Sequence, residues 1–307
     1  MTFNVTEKYD NTRLSVFIRE ACGVSRATLI KLKKLDNGIM LNGEKVTVAA
    51  TVKSGDVLTL AIEDREDETN PFVTAVGEMP EVVYEDEAVI AVNKPYGMPT
   101  HTSHGHRDDS LANSVCAYFA KKGQPFVFRA VNRLDLDTSG VVLIAKNRYY
   151  ANILSRSMEN GEFSKKYLAI LNGEIPEKGE IEGYILREGE SIIKRTVSAT
   201  ETEGSDYSLT RYERVCSSNG VSVVIAAPVT GRTHQLRVHF SFVGAPIYGD
   251  TMYGAPSEHI DRQALHAYEL TFPSPITGEK ITVKADIPSD MKTLAKTLGI
   301  DIEELLK

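Results

Sequence analysis

The sequence predicts an α+β protein built on a mixed, largely antiparallel sheet, with a small αβ unit at its N-terminal end. Three observations lead there. Short β-branched runs recur along the chain, and several are joined by hairpin-length turns. Helical periods fall between them irregularly instead of alternating with every strand, which is the pattern of an α+β sheet and not of a doubly wound one. The composition, 42% hydrophobic and 25% charged, is that of a globular chain, and 307 residues favour about two domains.

The elements follow in order. Thr12 is placed to cap a helix with Leu14, Phe17, Ile18 and Cys22 on one side, ending near Gly23. Ser25 caps a second helix over 26–35, with Leu29 and Leu32 inward and Lys31, Lys33 and Lys34 largely outward. Ile39 to Leu41, a turn at Asn42-Gly43 and Glu44 to Val46 read as a hairpin, and Gly55-Asp56 turns into a strand from Val57 to Leu60. These elements set a first unit at 1–62, and the acidic stretch 63–80, with Asn70-Pro71 and Pro80, reads as a linker. A second unit, 81–307, opens with a hairpin of Val82 to Tyr84 and Ala88 to Val92, then the constrained loop Asn93 to Pro99. Asp109 is placed to cap a helix bearing Leu111, Val115, Tyr118 and Phe119, stopped by Gly123. A buried strand at Val141 to Ala145 and a helix over 147–158 come next, followed by strands at Tyr167 to Ile170, Leu209 to Val215 and Val221 to Ala226. Strands at Leu270 to Phe272 and Ile281 to Ala285 and a helix from about Ser289 complete the reading.

The formal net charge of -7 is unevenly spread. From Thr12 to Lys45 seven basic residues face three acids, whereas from Glu63 to Glu87 ten acids face Arg65 alone. A local basic surface suffices for phosphate contacts, so the total does not exclude a nucleic-acid partner. No apolar run approaches the roughly 18 residues a membrane helix needs. The start, Met1 to Asp10, lacks a charged-then-apolar signal pattern, so a cytoplasmic location without membrane attachment is expected. Cys22, Cys116 and Cys216 are scattered without metal-like spacing and read as reduced thiols. His101, His104 and His106 share a Ser/Gly loop, but structural zinc demands stricter pairs of ligands; a solvated, RNA-facing loop is the expectation, with no metal.

Chemistry concentrates in two blocks. Arg133-Leu134-Asp135-Leu136-Asp137-Thr138-Ser139-Gly140 sets a carboxylate beside a cation next to a buried strand, an arrangement that holds it ionised and aims it at a cleft. In an extended segment Asp135 and Asp137 share a face, so spacing alone leaves both as candidates. The second block, Gly231 to His239, combines a flexible turn with Thr233 as a helix cap and Leu236, Phe240 and Val243 inward. Arg237 is the candidate counter-charge for Asp135, and Arg232, His234 and Gln235 lie at the helix mouth, suited to phosphate or base contacts.

Together these blocks resemble RluA-type RNA pseudouridine synthases, whose signature is Arg-Leu-Asp, two variable residues, then Thr-Ser-Gly. The likeness runs from about Glu81 to Asp286 and includes Lys165-Lys166-Tyr167, Gly244 to Asp250, Leu265-His266-Ala267 and Phe272 to Pro275. The first unit resembles an S4-like RNA-binding domain, although the usual Gly before its hairpin is displaced into Asp36-Asn37-Gly38. The resemblance implies isomerisation of uridine in structured RNA, with ribosomal RNA of the large subunit expected ahead of transfer RNA, by a monomer that needs no cofactor. It assigns the essential carboxylate to Asp135, leaving Asp137 at a variable position, with Tyr167 stacked on uracil and assisting proton transfer. Arg237 completes the catalytic set, and Arg133, Lys165, Arg232, His234 and Gln235 are the implied substrate contacts. His266 reads as a structural hydrogen-bonder. Where the family commonly has His before the Arg, this chain has Asn132, which hydrogen-bonds but cannot be cationic. A non-catalytic RNA-binding or ribosome-assembly factor on the same fold is the alternative; it predicts loss of Asp135 or Tyr167, and both are present. A carboxylate-pair glycosidase would need a second motif-embedded acid, which the sequence lacks.

Overall fold

The computed structural model describes residues 1–189, 191 and 193–302. Near the N-terminus, Thr2–Asn4, Val57–Leu60, Ile39–Leu41 and Glu44–Lys45 form a four-stranded antiparallel sheet in that order. The Asn42-Gly43 turn has φ of 51° and 83°, the double left-handed geometry that matches hairpin twist. Helices Leu14–Glu20 and Arg26–Leu32 cover the sheet, burying Leu14, Phe17, Ile18 and Leu32 against Leu58 and Leu60. Ser25 caps the second helix by accepting from the Thr28 amide at 3.1 Å, as expected, but the helix stops at Leu32. Thr12 is not a cap: it pairs with Val52 in a two-residue ladder, and Arg13 precedes the first helix without a capping side chain.

The acidic segment after this unit is docked instead of free. The Asp64 side chain is buried and takes a bidentate pair from Arg129 at 2.7 Å plus the Val127 amide at 2.8 Å. Glu68 pairs with both Lys31 and Arg148, and the Asn113 amide side chain donates to the Thr74 carbonyl at 2.8 Å. The expected solvated connector therefore uses its acids as latches. Phe3 meets Tyr149 edge-on, and Asn152 donates to the Gly23 carbonyl, which seats the first unit on helix Arg148–Glu159.

Among the described residues, ten strands form the main sheet. Their order is Arg195–Ser198, Lys178–Arg187, Asp206–Ser218, Val221–Pro228, Ser164–Asn172, Leu265–Pro273, Ser139–Ala145, Val89–Lys94 and Val82–Glu85, with Lys280–Lys284 also on Leu265–Pro273. Every pairing is antiparallel except Leu265–Pro273 with Ser139–Ala145, so the sheet is mixed and largely antiparallel, as the sequence predicts. The alternation of strand side chains explains the unbroken apolar run at 141–145. Ile90, Val92, Val142 and Ile144 pack against helix Leu111–Lys121 on one face. Val89, Ala91, Val141, Leu143 and Ala145 pack against Tyr150 and Leu154 of helix Arg148–Glu159 on the other. Ser110, not Asp109, caps helix Leu111–Lys121, in a reciprocal box with Asn113. Helices Gln235–Phe242 and Ser289–Thr297 cover the other half of the sheet through Leu236, Phe240, Met291 and Leu294. Val243, expected inward, is exposed just beyond its helix. All three cysteines are free, and no helix among the described residues is long and apolar enough to cross a membrane.

Candidate active site

Asp135 lies in the loop that feeds strand Ser139–Ala145, at the start of a turn closed by the Thr138 amide on the Asp135 carbonyl at 3.2 Å. Because Leu136 and Asp137 form that turn, the two acids do not share an extended face. The loop is held by buried groups reaching in from three directions. Lys94 is fully buried and donates to the carbonyls of Pro95 at 2.9 Å, Met98 at 2.6 Å and Leu136 at 3.1 Å. Three acceptors match the three protons of an ammonium. Burial pushes Lys94 down to about 7, against the pull of Asp135 and Asp137. The Thr100 hydroxyl donates to the Leu134 carbonyl at 3.0 Å and accepts its amide at 3.2 Å, and Arg262 donates to the Asp137 carbonyl at 3.1 Å.

Across from Asp135 stands Arg237, one turn into helix Gln235–Phe242, with its Nη1 3.4 Å from the carboxylate. The tighter partner of Arg237 is Asp250, which is fully buried and accepts from Nε at 2.7 Å and Nη2 at 2.9 Å. Asp250 also accepts the amides of Met252 and Tyr253, which fix its geometry independently of Arg237. A fork held on one edge by Asp250 presents its remaining nitrogen to Asp135, the rigid counter-charge a half-buried carboxylate needs. Arg133, two residues before Asp135 in sequence, is not that partner: it is exposed and donates to the Thr233 hydroxyl at 3.1 Å.

His234 sits 3.9 Å from Asp135 and begins the helix with φ 57°, a left-handed conformation that turns its ring into the cleft. Its Nδ1 is 2.9 Å from the Tyr253 hydroxyl, which also accepts the Arg195 amide at 2.8 Å. Burial lowers its proton affinity, opposed by Asp135 and reinforced by Arg237 and Arg195. Thr233 is thus not the cap expected from sequence. Nor is Gln235 free for substrate: its oxygen accepts from Thr230 and the Arg232 amide, and its nitrogen donates to Leu209 and Thr210. All four of its hydrogen-bonding positions are used to fasten the turn, which corrects the expectation of a substrate contact.

The opposite wall is strand Ser164–Asn172. A bulge between Lys166 and Tyr167 re-aims the strand where Tyr167 pairs with Ala267, which in turn pairs with Gly140 of the neighbouring strand. Gly140 has φ 118°, and a Cβ there would run into the Ala267 backbone, so only glycine lets these strands close up beneath the Asp135 loop. Burial, and then the nearby Asp135 charge, raise the Tyr167 phenol well above its usual range, so it stays protonated at neutral pH. Burial lowers Lys165. Asn132, Arg133, Asp135, Lys165, Tyr167, Arg232, His234 and Arg237 thus line one cleft of about 250 Å³. Arg232 is exposed, with Nε donating to the Tyr207 carbonyl at 3.0 Å.

Two sequence-flagged histidine groups lie outside the cleft's chemistry. His266 is buried between the Ser139 hydroxyl at 2.9 Å and the Ala285 carbonyl at 3.2 Å, a structural position. In the His101 to His106 loop, His106 pairs with Asp109 and His101 packs edge-on against Phe128. No group of three or more His, Cys, Asp or Glu suited to a metal occurs among the described residues.

A family model described as RNA pseudouridylate synthase matches residues 88–242. The uncharacterized RNA pseudouridine synthase YjbO of Bacillus subtilis (strain 168) is 35% identical over 275 residues, covering 89% of this chain and 95% of that protein. Ribosomal large subunit pseudouridine synthase D of Vibrio parahaemolyticus is 30% identical over 320 residues, covering 99% of this chain and 96% of that one. Among solved structures, human RNA Pseudouridylate Synthase Domain Containing 1 superimposes with a TM-score of 0.55 at 26% identity, covering 72% of this chain and 95% of that chain.

Proposed function

The chain belongs to the RNA pseudouridylate synthase family, of RluA type, isomerases that convert uridine to pseudouridine in RNA, and on that premise we propose that it modifies ribosomal RNA of the large subunit through Asp135. The observation that carries the residue assignment is the fixed pair of Asp135 with Arg237, braced from behind by buried Asp250, at the floor of a cleft also walled by Tyr167. The ribosomal target is supported by the name of the Vibrio parahaemolyticus relative, which nearly the whole chain matches.

The reaction breaks the bond between ribose C1′ and uracil N1, turns the base, joins C1′ to C5, and moves a proton from C5 to N1. Atoms balance without a co-substrate, so the residues need only stabilise, hold and exchange protons. Asp135 faces the sugar, as nucleophile or as the charge that stabilises the opened ribose, with Arg237 as its fixed counter-charge. Tyr167 supplies a flat surface for the detached uracil. As a neutral phenol it donates a hydrogen bond and does not act as a general base at neutral pH. Lys165, Arg232 and Arg133 provide positive charge along the cleft for the RNA backbone, and the target base is flipped out of the RNA fold to reach it. Residues 1–62, with Lys33 and Lys34 exposed, serve as an RNA-binding unit, residues 63–80 as its latch, and 81–307 as the catalytic unit, acting as a monomer in the cytoplasm.

Pseudouridine mapping of total RNA from cells with and without the gene tests the reading. Loss of one or a few large-subunit sites, restored by wild type and not by Asp135→Asn, is expected. A map that does not change would overturn the proposed substrate.

A further inference from the structure

Tyr96 stands in the loop that links strand Val89–Lys94 to helix Leu111–Lys121, yet none of the chemistry above uses it. Its side chain belongs to no hydrophobic cluster and is 51% exposed, although the loop around it is tightly fixed. Buried Lys94 ties the carbonyls on either side, at Pro95 and Met98, and Gly97 takes a φ of 72°. The Arg262 guanidinium lies over the Tyr96 ring, 4.6 Å from its centroid. Arg262 itself cannot turn outward to a phosphate: it is buried, and Asp290 holds it through two bonds of 2.6 and 3.0 Å. Its remaining nitrogen donates to the carbonyls of Asp137, Gln263 and Leu265. The ring is therefore covered by the guanidinium on one side while the residue as a whole stays half exposed.

The two residues that pin Tyr96 also pin the catalytic loop, Lys94 through the Leu136 carbonyl and Arg262 through the Asp137 carbonyl. Tyr96 is thus tied to the Asp135 loop through rigid groups on both sides, without itself lining the cleft. An exposed aromatic ring held flat against a buried cation offers a face on which a planar base stacks, at little entropic cost because the ring is already fixed. We propose that Tyr96 is the stacking platform for a nucleobase that flanks the target uridine in the RNA, so that the enzyme grips a neighbour while Asp135 holds the flipped nucleotide. This rests on the RNA isomerase reading above. Stacking is tolerant of base identity but scales with overlap, so a purine is gripped more firmly than a pyrimidine.

The test uses the full chain and synthetic RNAs spanning a mapped uridine, unsubstituted or with an abasic site at each of the two nucleotides on either side. Affinity is read by fluorescence anisotropy and isomerisation by pseudouridine formation, for wild type, Tyr96→Phe, Tyr96→Leu and Tyr96→Ala. Tyr96→Phe should bind as wild type does, and Tyr96→Ala and Tyr96→Leu about tenfold or more weakly, with KM rising by the same factor. That penalty should vanish on one abasic RNA and persist on the others. Equal affinity of Tyr96→Ala and wild type, or an equal penalty on every abasic RNA, overturns the proposal. Wild type that binds the unsubstituted RNA without forming pseudouridine would instead overturn the isomerase reading, while the anisotropy series still decides on Tyr96.

Discussion

Arg237 meets two carboxylates of unequal standing: Asp250 grips it with two short bonds in full burial, whereas Asp135 touches its far nitrogen at 3.4 Å from the cleft. The buried partner therefore sets where the charge of Arg237 sits, and the cleft partner benefits. Removing one member of such a pair leaves an uncompensated charge and costs about 3–5 kcal/mol. Asp250→Asn should lower stability on that scale in denaturant unfolding, and should slow isomerisation at least ~10-fold by freeing Arg237 from its orientation. An unchanged rate would mean that Arg237 needs no brace. That Asp135 and Arg237 meet was legible in the sequence because both sit in dense polar blocks. Asp250 was not, since Gly249-Asp250 has the form of an ordinary turn and only the fold reveals what the carboxylate faces. Gln235 misled in the opposite sense: a polar residue at a helix mouth looks available to RNA until its four bonds to the turn and the adjacent strand are seen.

At the scale of elements, the site depends on how closely strand Leu265–Pro273 approaches strand Ser139–Ala145 at their short parallel contact. Gly140→Ala forces a Cβ into the Ala267 backbone at a φ that L-residues avoid, so it should cost about 2 kcal/mol or more and move the Asp135 loop. Thermal unfolding together with the isomerisation rate checks this, and a variant as stable and active as wild type would show that the close approach is dispensable. Strand periods and hairpin turns were readable because alternation and Asn-Gly leave marks in sequence. Lys178–Arg187 was missed although Ile181 and Ile185 point inward, because Lys178, Glu180, Glu182 and Arg187 around them and Gly183 between them mask a short alternation. The start of helix Gln235–Phe242 was misread because capping rules favour Thr233, while tertiary bonds of Thr233 to Arg133 and of His234 to Tyr253 hold a left-handed His234 at the cap instead.

Across the whole molecule, two fully buried histidines make folding sensitive to acid. Burial pushes His239 and His266 down to about 4, from an ordinary value of 6.5. Between these values the unfolded chain binds protons that the folded chain refuses, so stability is full above about 6.5 and is lost as pH falls toward 4. Each histidine contributes on the order of 2–3 kcal/mol to that loss. Denaturant midpoints should fall from pH 7.5 to 5.5, before ordinary carboxylates titrate, and His239→Gln should reduce the drop; a flat midpoint would contradict the assignment. Charge distribution was only half legible at this scale. The basic first unit stood out, but the acids after it looked like a solvated tether, because sequence does not show that Arg129 and Arg148 wait for Asp64 and Glu68.

The most direct test of the central claim sets Asp135→Asn against Asp137→Asn on a large-subunit ribosomal RNA transcript labelled with tritium at uracil C5, since joining C1′ to C5 expels that hydrogen. Asp135→Asn should release no tritium above background while binding the RNA as wild type does, and Asp137→Asn should release it at close to the wild-type rate. Equal loss from both substitutions, or tritium release that survives Asp135→Asn, would contradict the assignment of the catalytic carboxylate.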